Sequence, residues 1–425
     1  MKILVSADAC NPYGGSEAHV GWSVVECMAR HHDLWVLTSG RHHSDIERAA
    51  TEGMIPPNVT FEYPNWPKPW RSTAMMCKLQ SWTDYYKFTR NALNFGQKLH
   101  QSVRFDLVHH VTTATWRIGS PLWKLGIPFV WGPIGGAEQV PLKLYSILSP
   151  SAKGFELVRM FSNCLSRYSP AVRSCARHAA YIAASTNEAK RLLVKLRGTE
   201  AGVSVLSQAF FSPSKIESFS AAASGRQFSG PLRFFGGGKL EGLKGFALAL
   251  AALARLKQQG MQFSYYIGGI GPEADHLAQL TERLGLRENV VFGYWSGKDY
   301  MDQLVASHVL LLPSLRDTAG LTMMEAMLAG CVPVVADSGG PGHIVTDACG
   351  CKVPIGNAAA MIDGLAAAIA VLDKDRSLLQ RKSVEATNRI KTAFSEDAYF
   401  QAMNVIYQRV TGRQKVSDGQ PLWAA

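Results

Sequence analysis

Two carboxylates, Asp317 and Glu325, stand in a stretch whose spacing suits ligand chemistry, HVLLLPSLRDTAGLTMMEAMLAGCVPVVADSGGPGHIV over residues 308–345. Residues 308–312 form a short apolar run ending at Pro313-Ser314, as a buried parallel strand does. Residues 320–329 have helical spacing, with Leu321, Met324 and Leu328 on one face, and Gly330 stops that helix. Residues 332–336 read as the next buried strand. In a parallel α/β sheet, ligands sit at the carboxyl ends of the strands. Backbone N–H groups of Gly320, Leu321 and Thr322 could there face an anion. A carboxylate one turn deeper, Glu325, could accept hydrogen bonds from vicinal hydroxyls, as acidic residues do with ribose. A nucleotide sugar needs both features. The plainer alternative is that Asp317 caps the helix and Glu325 is a solvated charge.

Upstream stands a glycine-rich turn with two cations, Gly236-Gly237-Gly238-Lys239-Leu240-Glu241-Gly242-Leu243-Lys244-Gly245, between a strand at 232–235 and a helix reaching about Lys257. A diphosphate leaving group gains negative charge, and Lys239, Lys244 and glycine backbone could neutralise it without a metal. A strand at 263–267 runs into Gly268-Gly269-Ile270-Gly271-Pro272. Another at 290–292 runs into Gly293-Tyr294-Trp295, two aromatics that could pack on a ligand or simply in the core.

The first half repeats the alternation of strand and helix. A strand at 3–6 leads through Asn11-Pro12-Tyr13-Gly14-Gly15-Ser16-Glu17 into a helix to about Arg30, then a strand at 34–38. The full G-x-G-x-x-G is absent, so a dinucleotide site has little support. Ser16 is the expected N-cap. A strand from Phe105 ends at His109-His110, and a strand at 127–131 is followed by Gly132-Pro133-Ile134-Gly135-Gly136-Ala137-Glu138. His109, His110 and Glu138 are polar candidates in the right loops, although a histidine at a strand end is also a common hydrogen-bonded neighbour. Strands at 179–184 and 203–206 close this half. Residues 212–230, rich in Ser and Ala, read as the linker.

Asp317-Thr318-Ala319-Gly320-Leu321 with Glu325-Ala326 resembles the acidic motif of the retaining glycosyltransferases of GT-B fold, family 4 (group 1). That motif reads Glu-Gly-Phe-Gly-Leu with a second Glu eight positions on, and Asp317 here replaces the first Glu. The turn at Lys239 and Lys244 is similar to the family's Gly-Arg-Leu, three residues, Lys-Gly, with Lys239 for Arg. Gly14-Gly15 resembles the family's first loop, and Ser185-Thr186-Asn187-Glu188 its helix start before the linker. Many members carry a His-Gly after the strand at 127–131, where Pro133-Ile134-Gly135 stands here, and often a Glu where His343 stands.

The resemblance implies an α/β protein of two Rossmann-like domains facing a cleft, 1–210 for the acceptor and 211–395 for the nucleotide sugar. Residues 396–425 would be a helix crossing back to the first domain, with a loose tail from 414. It implies sugar transfer from a nucleoside-diphosphate sugar with retained configuration, without metal or other cofactor. Lys239 and Lys244 would hold the diphosphate, Glu325 the ribose, Asp317 with Gly320–Thr322 the sugar, and the turn after residue 292, with Tyr294 and Trp295, the base. Gly15, Gly238 and Gly271 would approach the donor. Gly14, Gly15, His109, Gly135, Gly136 and Glu138 would lie on the acceptor side. Asp317, Glu325, Lys244, His109 and His110 are the candidates for catalysis.

The chain has 425 residues, 47% hydrophobic and 18% charged, a globular balance with room for two or three cores. No apolar run approaches the ~20 residues of a membrane span. The eight cysteines show no zinc or redox spacing, and the short start 1–5 meets Asp8 at once, unlike a signal peptide. A cytoplasmic protein, peripheral at most on the inner face of a membrane, is the expectation. Residues 1–212 hold 23 Lys+Arg against 14 Asp+Glu, +9 of the net +11. Across residues 63–90, Trp66, Trp70, Trp82, Tyr85, Tyr86 and Phe88 interleave with Lys68, Arg71, Lys78, Lys87 and Arg90. This mixture suits an anionic membrane surface or a lipid-linked acceptor. Stacked nucleic acid would suit it equally, but leaves the second-half motifs unexplained.

Overall fold

Thirteen parallel strands in two sheets carry the described part of the chain, which in this computed structural model is residues 1–15, 17–66 and 74–413, the side chains of 74–79 excepted. Ser16, residues 67–73 with Lys68, Trp70 and Arg71, the Lys78 side chain and the tail 414–425 lie outside the described residues.

The first sheet is ordered β3-β2-β1-β4-β5-β6-β7. Its strands are β1 (Lys2–Ala7), β2 (Asp33–Ser39), β3 (Val59–Asn65), β4 (Leu107–Thr112), β5 (Phe129–Ile134), β6 (Tyr181–Ala184) and β7 (Val203–Val205). The second is ordered β10-β9-β8-β11-β12-β13. It comprises β8 (Leu232–Gly237), β9 (Phe263–Gly268), β10 (Val290–Gly293), β11 (Val309–Leu311), β12 (Val332–Ala336) and β13 (Cys351–Val353). Both are Rossmann-like, because helical crossovers bury both sheet faces. The central strands are therefore apolar throughout rather than alternating. All six residues of β4 are buried, as are all five of β12.

The strand order reverses between β1 and β4 in one sheet and between β8 and β11 in the other, and such reversals open a crevice at the strand ends. Pairing of Val309 with Phe234 and Leu310 with Phe235 sets the register at the second reversal. The glycine turn after β8 and the loop after β11 thus emerge side by side.

The chain forms two compact units. Of the described residues, the first unit takes those within 1–137, 162–208 and 399–413, the second those within 138–161 and 209–398. The last helix, Glu396–Val410, contributes Tyr407 to the first unit, where its hydroxyl meets His109 Nδ1 at 2.6 Å. Residues 212–230 are not a plain linker. They contain the helix Pro213–Ala222, which buries Phe219 in the second unit. Ser212 caps this helix by accepting from Lys215 N, and Pro213 occupies the position where its missing N–H costs nothing. A second helix without a sequence expectation, Gly339–Ile344, follows β12 and carries His343.

The basic and aromatic stretch divides on folding. The helix Ala74–Val103 buries Tyr85 and Phe88, while Trp66, Trp82 and Tyr86 stay exposed. Among the described residues no helix is long and apolar enough to cross a membrane.

Candidate functional site

In the second unit three glycine turns meet at the carboxyl end of the sheet. Gly238 N donates to Gly268 O, Leu240 N to Ile270 O, and Gly269 N to Gly293 O, at 2.9–3.0 Å. Backbone this close leaves no space for side chains. A Cβ on Gly269, whose φ is +141°, would stand 1.9 Å from Gly238 O, and one on Gly271 would stand 2.3 Å from Leu240 O. Gly271 therefore serves loop-on-loop packing. Gly238 has only Lys244 Cε within 4 Å of such an atom, at 3.7 Å.

Lys244 ends a short turn, Gly242–Lys244, that Gly245 closes at φ +73°. Its Nζ lies 2.6 Å from Asp317 Oδ2, and both side chains are largely covered. The other oxygen, Oδ1, accepts from Gly320 N at 3.1 Å. Asp317 thus tethers the start of the acidic helix, as its capping alternative expected, and also pairs with Lys244, a contact that its sequence position did not announce. The helix Leu321–Leu328 begins on Gly320 with no side-chain cap, and Gly320 N, one of the groups expected to face an anion, is taken by Asp317 instead. Lys239 reaches outward and pairs with Glu241 at 2.6 Å.

Glu325 is not a solvated charge. Oε1 accepts from Lys215 Nζ at 2.7 Å and Oε2 from the Tyr300 hydroxyl at 2.8 Å. Burial, then the Glu325 charge, raises the Tyr300 pKa, so that hydroxyl stays a donor. Neither partner was foreseen. Lys215 hides in the Ser/Ala-rich segment, where Ser212-Pro213 was the available sign of a helix start. Tyr300, on helix Gly297–Ala306, carries no local sign at all.

Beside β10, Trp295 lies across the backbone. A Cβ on Gly293 would be 2.6 Å from its ring and one on Gly268 3.0 Å. Phe235 and Tyr266 flank it. Tyr294, in contrast, is 70% exposed. Glu138, foreseen among the first-half loops, groups with the second unit. It is fully buried, and its Oε2 accepts from Thr318 Oγ1 at 3.0 Å, next to Asp317.

In the first unit the two histidines are core groups, which corrects the expectation that one faces a ligand. Both are fully buried on β4. His109 bonds Gly132 O through Nε2 and Tyr407 through Nδ1, both at 2.6 Å. His110 bonds Ser6 Oγ and the Tyr85 hydroxyl, each at 3.2 Å. Burial holds both rings neutral, lowering their pKa to about 4.

Gly135 and Gly136 are likewise engaged: Gly135 N donates to Ala114 O, and Gly136 O accepts from Trp116 Nε1 and Arg117. Gly14 packs against Ala18, whereas a Cβ on Gly15 would meet nothing within 4 Å. Two carboxylates that sequence reasoning passed over stand at this reversal. Asp8 directly follows β1, and Glu17 accepts from Ala114 N at 2.5 Å. Burial first, then the Glu17 charge, pushes Asp8 up to about 7.

Residues 225–383 match the family described as Glycosyl transferases group 1. The lipopolysaccharide core biosynthesis glycosyltransferase LpsD of Rhizobium meliloti is 30% identical over 179 residues, 41% of this chain and 48% of its own length. The putative colanic acid biosynthesis glycosyltransferase WcaL of Escherichia coli is 35% identical over 154 residues, 34% of this chain and 37% of its own. The chain thus spans about half or less of the length of these curated relatives. Anabaena Alr3699/HepE, solved in complex with UDP and glucose, superposes over 97% of this chain and 99% of its own with a TM-score of 0.56 at 18% identity. Identity that low speaks for fold alone. Residues 225–383 are accordingly a group 1 glycosyltransferase domain, in a chain of two Rossmann-like domains like those of the GT-B glycosyltransferases.

Proposed function

We propose that the chain transfers a sugar, with retention of configuration as in family 4, from a nucleoside-diphosphate sugar to a lipid-linked or polysaccharide acceptor in cell-surface or exopolysaccharide synthesis. The observation that carries this reading is the cluster at the second strand-order reversal, where Lys244 meets Asp317 and Lys215 and Tyr300 meet Glu325. Lys244 and Lys239 receive the diphosphate and stabilise the charge that builds as the glycosidic phosphate bond breaks. Glu325, already oriented by two donors, accepts the ribose hydroxyls. Gly320–Thr322 and Asp317 orient the sugar. Trp295 lines the base position. With two cations at the leaving group, no metal is needed for charge neutralisation.

The sequence carries no second carboxylate motif of the retaining-hydrolase kind, and, as the resemblance implies, the leaving phosphate itself assists front-face attack. LpsD and WcaL, named for lipopolysaccharide core and colanic acid synthesis, support the choice of acceptor. HepE, solved with UDP and glucose, supports the choice of donor class. The basic first half, with Trp66, Trp82 and Tyr86 exposed, supports peripheral attachment to an anionic membrane. A soluble acceptor or a sugar-nucleotide epimerase is the alternative on the same fold. A thermal-shift series over UDP, GDP and ADP tests the donor site, because a ligand that binds only the folded state raises its melting temperature. No rise with any of them sinks the proposal. A sugar product formed without any acceptor selects the epimerase.

A further inference from the structure

The helix Pro150–Tyr168 is amphipathic in the reverse sense. Its covered face is polar. Glu156, 4% exposed, pairs with Arg316 at 2.8 Å; Arg159 donates to Glu138 O at 3.0 Å; Asn163 accepts from Arg117 Nε at 2.6 Å. Its open face is apolar. Leu157, Phe161, Leu165 and Tyr168, spaced by four, four and three residues, form one stripe, with Val158 along its edge. Their exposures are 49%, 65%, 59%, 70% and 68% in that order. Large apolar side chains scattered singly need no explanation, but a contiguous stripe of them marks a surface that something covers.

Charge says what covers it. From residue 142 to 177 there are six Lys or Arg and a single acidic residue, the buried Glu156. Helical periodicity puts Lys153 and Arg167 along one edge of the stripe. Arg173 sits over the Tyr168 ring at 5.5 Å. A second copy of this chain would bring the same cations against themselves. An anionic lipid surface meets both requirements, apolar depth beneath the stripe and negative charge beside it.

We infer that helix Pro150–Tyr168 lies in the plane of an anionic membrane, with Leu157, Phe161, Leu165 and Tyr168 inserted below the headgroups and Lys153 and Arg167 among them. This rests on the peripheral-membrane reading above and assigns the contact to an element outside residues 63–90. The bound helix holds the protein against the surface from which a lipid-linked acceptor is drawn.

Cys164, exposed on the same helix face, supplies the probe. The full chain is labelled there with an environment-sensitive fluorophore, with Cys164→Ser as the labelling control, and mixed with phosphatidylglycerol or phosphatidylcholine vesicles. With phosphatidylglycerol the expected result is blue-shifted emission and co-sedimentation, part of which survives high salt. Phe161→Ser with Leu165→Ser is expected to weaken that salt-resistant part about tenfold or more. Its melting temperature and nucleotide response should stay those of the wild type, because both side chains are exposed. Lys153→Glu with Arg167→Glu is expected to remove the low-salt binding. Co-sedimentation with an unshifted label overturns the assignment to this helix and leaves the membrane reading standing. No co-sedimentation of the wild type overturns both, and a concentration-dependent dimer in its place makes the stripe a self-association face. A nucleotide-induced melting shift separates all of these from the donor-site reading.

Discussion

Lys215 Nζ lies 2.7 Å from Glu325 Oε1, joining two helices 110 residues apart in sequence. With Tyr300 on the other oxygen, the carboxylate is oriented before any nucleotide arrives. Charge-assisted hydrogen bonds of a covered carboxylate are worth about 1.5–3 kcal/mol. Glu325→Ala is therefore expected to weaken nucleoside-diphosphate binding by about ten- to hundredfold, read by calorimetry. Unchanged affinity in a folded variant removes Glu325 from the site. Lys215→Met should cost less, since Tyr300 still holds the second oxygen.

The two diphosphate lysines are expected to be unequal. Lys244 is covered and bound to Asp317, whereas Lys239 is 65% exposed and bound to Glu241 at the surface. A charge held in a covered site stabilises a developing anion more than one screened by water. Lys244→Ala should lower turnover by about a hundredfold and Lys239→Ala by less. Equal turnover of wild type and Lys244→Ala overturns the leaving-group assignment.

What the sequence made legible was local. Each strand at the second reversal ends in a glycine turn or polar loop, and those turns are spelled in consecutive residues, so Lys244, Asp317 and Glu325 could be named before their distances were seen. Lys215 and Tyr300 could not, because a partner supplied by a distant helix leaves no mark in spacing. The histidines failed for a related reason. A His-His pair ending an apolar strand reads the same whether it faces solvent or the interior, and the difference is made by Tyr85, Ser6 and Tyr407, which arrive from elsewhere in the chain. The reversed helix Pro150–Tyr168 was passed over because periodicity marks an apolar face without saying which side is covered.

Activity is expected to survive a strong chelator. Lys239 and Lys244 can balance the charge of the leaving diphosphate. Turnover assayed with excess EDTA checks this, and a loss restored by magnesium or manganese contradicts it.

Asp8 gives the first unit a pH signature. Its pKa rises from 3.8 to about 7, through burial first and the Glu17 charge second, with Asp84 adding and Arg41 opposing. In the unfolded chain the group titrates near its ordinary value, about 4. Between about 4 and 7 the folded state therefore binds more protons than the unfolded state, and stability falls as pH rises through that window. Below it the penalty is absent; above it the penalty is complete and constant. Asp8→Asn keeps the shape and removes the charge, so it should stabilise the protein at pH 8 relative to pH 4.5. The gain is at most about 4 kcal/mol and smaller where Glu17 shares the proton. Urea unfolding of wild type and variant at the two pH values reads the difference. A stability difference that does not change between them shows that Asp8 takes up no proton on folding.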